Sequence, residues 1–291
     1  MKNPTLKTLY FHPILSTIMK NFSSTILLAA LILLKGCAHN SYKVTNRQYK
    51  KQVKSLAKII RQYPLQPLNS DSIRLPPYFV GTTNLNLRKP NFVIIHHTAQ
   101  ISCDQTLRTF TIPRTQVSAH YVICKDGTVH QMLNDYLRAW HAGISKWGNV
   151  TDVNSSSIGI ELDNNGYEPF SEPQINNLLV LLDTLKKRYA IPAANFIGHA
   201  DIAPTRKNDP NVSFPWKQLS DKGFGLWYND TTGVSLPQHF NWIQAIRIVG
   251  YDIRDSTAAI IAFKRHFVQD TIGVMREVDK KILYKLYKKY E

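Results

Sequence analysis

The sequence predicts an α/β protein, a mixed β-sheet flanked by helices, followed by a small C-terminal three-helix module. Three observations carry this reading. Between Asn91 and about Leu219, short apolar runs alternate with segments of helical period, the pattern of a sheet layered with helices. Asp126-Gly127 stands between two of the strand-like runs and marks a hairpin, so the sheet is mixed. Beyond Gly223 the strand signal fades and only helical spacing remains.

In chain order, the strands are expected at Phe92–His96, Ala119–Cys124, Thr128–Leu133, Ile158–Leu162 and Phe196–His199. A short helix carries Leu107 and Phe110. The clearest helix opens at Ser171, where Ser171-Glu-Pro-Gln174 reads as a capping box with proline in the first turn. Ile175, Leu178, Leu182, Leu185 and Tyr189 form its apolar face, and Pro192 stops it. Phe240, Ile243 and Ile246 mark a helix ended by Gly250. Ile260, Phe263 and Phe267 mark a second, capped near Asp255-Ser256, and Val278, Ile282 and Leu286 a third.

The expected organisation is residues 1–36 as a leader, 37–90 as a tether and extension, 91–220 as the main domain and 221–291 as the helical module. Within the tether, Tyr49, Val53, Leu56 and Ile60 recur at helical spacing among lysines and arginines, a basic amphipathic helix. It either packs on the domain or lies on anionic lipid. Pro64, Pro67, Pro76 and Pro77 then break the chain into loops. Ile26–Leu34 is an apolar run too short to span a bilayer comfortably and is placed as a signal sequence would be. Leu34-Lys-Gly-Cys37 resembles a bacterial lipobox, which makes Cys37 the lipidated N-terminus of the mature chain; Met19-Lys20-Asn21 would open a compact leader of ordinary length. Ala38 after the cysteine points to the outer membrane.

The formal charge is +16, and loss of the first 36 residues, with four lysines and no acid, leaves +12. Such a field favours an anionic partner: nucleic acid, a membrane surface or an acidic wall polymer. Export and the lack of a basic–aromatic recognition motif weigh against nucleic acid. In an oxidising compartment Cys103 and Cys124 either pair, or Cys124 serves as a small buried hydrophobe.

The densest chemistry lies in His199-Ala-Asp-Ile-Ala-Pro-Thr-Arg-Lys-Asn-Asp209, a loop stiffened by Pro204 and Pro210, and in His96 at the end of a strand. Two imidazoles and a carboxylate suit zinc, and three protein ligands leave a fourth tetrahedral position for water. A catalytic zinc also needs a base. Glu161 sits in an otherwise apolar strand, where a carboxylate is costly unless paired, as with Arg206, or functional. Lys207 is placed to stabilise an oxyanion.

These residues belong to five ordered motifs: Ile94-Ile-His-His-Thr-Ala99, Val117-Ser-Ala-His-Tyr-Val122, Ala139-Trp-His-Ala-Gly143, Ser157-Ile-Gly-Ile-Glu161 and Gly198-His-Ala-Asp-Ile-Ala-Pro-Thr-Arg-Lys-Asn-Asp-Pro210. Together they resemble the zinc-dependent N-acetylmuramoyl-L-alanine amidases of the amidase type 2 group, relatives of the peptidoglycan recognition proteins. The resemblance implies one zinc held by His96, His199 and Asp209, with Glu161 as catalytic acid/base and Lys207 on the oxyanion. It leaves His97 structural and makes Trp140-His141 a wall of the substrate cleft, with Trp147 and Tyr167 as further stacking candidates against sugar or peptide; a core role is the alternative for the aromatics. The tail from Gly223 is similar to that of outer-membrane lipoprotein amidases of this group, where it forms a peptidoglycan-binding-like module. Lys264 stands there in place of a usual glutamine. The implied function is a monomeric, periplasmic, lipid-anchored amidase cutting peptidoglycan or muropeptides between N-acetylmuramic acid and L-alanine. A non-catalytic peptidoglycan-binding module is the rival, and retention of all five site residues argues against it.

Overall fold

The computed structural model describes residues 40–62 and 81–290. The leader with Ile26–Leu34, Cys37 and the four tether prolines lie outside the described residues. The chain divides into two units, Met1–Gly81 and Thr82–Glu291. In the first, helix α1 spans Lys43–Ile60, longer than the apolar spacing required, and none of its residues is buried.

In the second unit, strands β1 (Phe92–His97), β2 (Tyr121–Ile123), β3 (Val129–Gln131), β4 (Ser157–Leu162) and β5 (Phe196–Gly198) form one sheet. Their order is β3-β2-β4-β1-β5. Only the β2–β3 pair is antiparallel, and Gly127 at φ +88° turns that hairpin. The central strands β1 and β4 are buried on both faces, as parallel strands sandwiched between helices must be.

Period-two alternation sends side chains to two cores. Val93, Ile95, Ile158, Ile160, Leu162 and Phe196 face helix α4 (Glu172–Tyr189), meeting Ile175, Leu178, Leu182 and Leu185. Ser171 caps that helix by accepting the Gln174 N–H at 3.3 Å. Phe92, Ile94 and Ile197 face the other way, into a core shared with α7 (Trp242–Val249), α8 (Ser256–Phe267) and α9 (Glu277–Tyr287). The remaining helices are α2 (Cys103–Thr111), α3 (Val153–Ser156), α5 (His199–Ile202) and α6 (Trp216–Asp221).

The stop at Gly250 and the cap near Asp255-Ser256 fall where the sequence placed them, while Phe240 lies ahead of α7 and not within it. Asn241 and Asp255 accept the backbone N–H groups of Gln244 and Ala258. Gly250, at φ +134°, ends α7 where an added Cβ would lie 2.4 Å from Trp147. Trp147 therefore fills the core beside Tyr251, at 5.0 Å between ring centroids, instead of lining a cleft. Lys264 is fully buried, its Nζ donating to Asp270 at 3.0 Å, Asp279 at 3.3 Å and the Val274 carbonyl at 3.1 Å. It ties α8 to the start of α9 and does not reach the surface. Cys103 and Cys124 are joined in a disulfide that links α2 to the end of β2. His130 lies beside them, but sulfurs bonded to each other offer no thiolates to a metal.

Candidate metal centre and active site

In a parallel sheet, sites form beyond the carboxyl ends of the strands, and three strands deliver the chemistry here. His96 is the penultimate residue of β1, and Glu161 sits opposite it in parallel register on β4. His199 follows β5 directly and opens the helical turn α5. On β4 the face that carries Glu161 also carries Ser157 and Gly159, so polar and small residues replace the aliphatic pattern on that side of the strand.

The 199–209 loop folds back so that Ala200 N–H donates to the Asp209 carbonyl at 2.8 Å, which returns the Asp209 side chain to His199. His96 Nδ1, His199 Nδ1 and Asp209 Oδ2 then form a near-equilateral triangle of 2.9, 3.1 and 3.0 Å. All three residues are buried.

Hydrogen bonds alone cannot satisfy this triangle, because two ring nitrogens face each other as well as the carboxylate. The opposite ring atoms fix the tautomers. His199 Nε2 donates to the Ala142 carbonyl at 3.2 Å, and His96 Nε2 donates to His141 Nδ1 at 3.0 Å. His141 Nε2 donates in turn to Ser157 Oγ at 3.1 Å, whose proton goes to the Val153 carbonyl at 2.6 Å. Each Nδ1 is left with a lone pair free to bind a metal. Zinc bonds of about 2.0–2.1 Å at tetrahedral angles place ligand atoms about 3.3 Å apart, so the donor set fits zinc in chemistry and in spacing.

Burial holds His96 down to about 4, with the neighbouring His199 adding to the effect. Burial alone would raise Asp209, but the charges and hydrogen bonds of His199 and His96 outweigh it and keep the carboxylate well below its usual range. Glu161 Oε1 lies 4.0 Å from His96 Nδ1. Burial and the Asp209 charge push Glu161 up to about 8, and Lys207 opposes them. A divalent cation in the triangle would oppose them further. Lys207 is exposed on the loop, near enough for its charge to act on both Glu161 and His96. Arg206 does not pair with Glu161; its guanidinium donates to the Ile144 and Ala142 carbonyls.

The expected cleft residues separate into two pairs. Trp140 is 52% exposed and Tyr167 98% exposed, both available to a ligand. His141 is buried behind His96 and does not form a cleft wall. Gly159 makes room for it, since a Cβ there would lie 2.4 Å from the His141 ring. His97 accepts the Asn211 N–H and His120 accepts the Gly159 N–H, so both are structural.

The spacing of the motifs does not reveal Asp201. Its Oδ2 accepts the Gly198 N–H and His266 Nδ1–H, both at 2.7 Å, and its Oδ1 accepts the Tyr251 hydroxyl at 2.7 Å. It fixes the turn that presents His199 to α8 and the loop before it.

A mixed α/β sheet with two histidines, an aspartate and a buried glutamate converging beyond the ends of its parallel strands carries the residues of a hydrolase site able to hold a metal. Residues 86–212 match the N-acetylmuramoyl-L-alanine amidase family of the Amidase_2 group. N-acetylmuramoyl-L-alanine amidase AmiD of Escherichia coli is 34% identical over 206 residues, covering 60% of this chain and 74% of that protein. The chain belongs to this amidase family. The 1,6-anhydro-N-acetylmuramyl-L-alanine amidase AmpD of Enterobacter cloacae is 40% identical over 108 residues, and the match spans 37% of this chain and 58% of the relative. Among solved structures, the complex of E. coli AmiD with anhydro-N-acetylmuramic acid-L-Ala-D-γ-Glu-L-Lys superposes with a TM-score of 0.64 at 30% identity, over 72% of this chain and 93% of that one. AMPDH3 of Pseudomonas aeruginosa superposes with a TM-score of 0.65 at 28% identity, over 75% and 99%.

Proposed function

We propose that this chain is a zinc amidase that hydrolyses the bond between the lactyl group of N-acetylmuramic acid and L-alanine in peptidoglycan or its fragments. The observation that carries the reading is the triangle of His96, His199 and Asp209 with Glu161 at 4.0 Å. His96 Nδ1, His199 Nδ1 and Asp209 Oδ2 would hold the metal, which supplies Lewis acidity and acidifies water when bound. Glu161 takes a proton from the attacking water at its carboxylate and returns it to the alanine nitrogen as the carbon–nitrogen bond breaks. The products are the muramyl carboxylic acid and a free peptide amine. Lys207 brings positive charge to the carbonyl oxygen as negative charge develops there. Trp140 and Tyr167 offer faces for the sugar or the peptide.

The purified protein is expected to hold one zinc per chain, to lose activity to a chelator and to regain it with zinc. Metal content, read by mass spectrometry, should collapse in His199→Ala. Full amidase activity in metal-free protein would exclude the zinc role.

The reading also places the enzyme in the periplasm, anchored to the outer membrane through lipid on Cys37. Wild type should incorporate labelled acyl chains, and Cys37→Ser should incorporate none and appear in the soluble fraction. A mature protein that retains the intact precursor N-terminus would contradict the anchor.

A further inference from the structure

Helix α1 carries a feature that the amidase chemistry does not use. Lys43, Arg47, Lys50, Lys51, Lys54 and Lys58 all lie within it, and it contains no acid. At 3.6 residues per turn, these six cations fall within an arc of about 100°. Tyr49, Val53, Leu56 and Ile60 fall within about 60° on a separate side. No residue of the helix is buried; Leu56 is 45% exposed and Ile60 73% exposed. No helix among the described residues is long and apolar enough to cross a membrane.

We propose that α1 is an interfacial helix that lies on an anionic phospholipid surface, with its apolar stripe among the acyl chains and its cations at the headgroups. Each half of the surface restricts the occupant. The acid-free arc requires a dense negative partner. The stripe of Tyr49, Val53, Leu56 and Ile60 requires hydrocarbon, which a hydrated glycan or peptide mesh does not offer. A leaflet containing anionic lipid presents both within one helix diameter. This inference stands apart from the amidase reading, because partition onto lipid requires no catalysis.

The test uses residues 38–291, which contain every described element but lack Cys37 and therefore any acyl chain. The protein is sedimented with vesicles of phosphatidylcholine alone or mixed with phosphatidylglycerol. Wild type should bind the mixed vesicles, leave the neutral ones and be released by salt. Lys50→Gln/Lys54→Gln/Lys58→Gln should weaken binding on the order of a hundredfold, from roughly a fivefold factor per charge. Leu56→Gln/Ile60→Gln should weaken it at least about tenfold. Unchanged thermal midpoints in both variants show that the fold is intact. Equal binding to neutral vesicles, or indifference to both sets of substitutions, would overturn the proposal. So would binding to purified sacculi, but not to vesicles, that the same substitutions abolish.

Discussion

Glu161→Gln is expected to retain zinc and bind muropeptide while turning it over about a hundredfold to ten-thousandfold more slowly, the usual contribution of a positioned acid/base. The substitution preserves shape and removes the ability to accept a proton. Glu161 supplies none of the three atoms that close the donor triangle, and its Oε1 lies 4.0 Å from His96 Nδ1. Metal content and substrate affinity should therefore survive. Single-turnover rates together with metal analysis check this. A wild-type rate would place the base elsewhere, and loss of zinc would make Glu161 a ligand or its support. A bound but uncut muropeptide in Glu161→Gln, against a cut one in wild type, also separates an enzyme from a binding module.

The second large effect concerns stability. Asp201→Ala should destabilise the fold by about 3–5 kcal/mol, since it leaves buried partners without their acceptor. Tyr251 and His266 are 2% and 3% exposed, so water cannot replace the lost carboxylate. In a domain of this size that is a fall in melting temperature of roughly 10–15 °C. Calorimetry of the metal-free protein checks it without interference from zinc binding. A shift of under about 3 °C would show that the contacts between α5 and the C-terminal helices contribute little.

The contrast between Glu161 and Asp201 shows what the sequence makes legible. Glu161 is conspicuous because a carboxylate interrupts an aliphatic strand, and parallel register then places it opposite His96. The elements were readable for local reasons: Ser171, Asp255 and Gly250 act on helix ends a few residues away. Asp201 is not conspicuous, because its partners Tyr251 and His266 lie 50 and 65 residues downstream. Burial was the other hidden quantity. Trp140 and Trp147 look alike in sequence, yet Trp140 is 52% exposed and Trp147 only 7%. Trp147 lies in the space that the missing side chain of Gly250 leaves. His141 sits where Gly159 makes the same kind of allowance, and it turns from a cleft candidate into the acceptor that orients His96. The buried Lys264 pairs with Asp270 and Asp279, a pairing that only the turn between α8 and α9 creates.

The most direct test of the central claim is the mass of the products formed from a defined anhydro-muropeptide by the zinc-loaded protein. The account predicts two species, the free anhydro-N-acetylmuramic acid and the intact stem peptide with an L-alanine amine, their combined mass exceeding the substrate by one water. An uncut muropeptide, or one cut within the peptide or at a glycosidic bond, would contradict it.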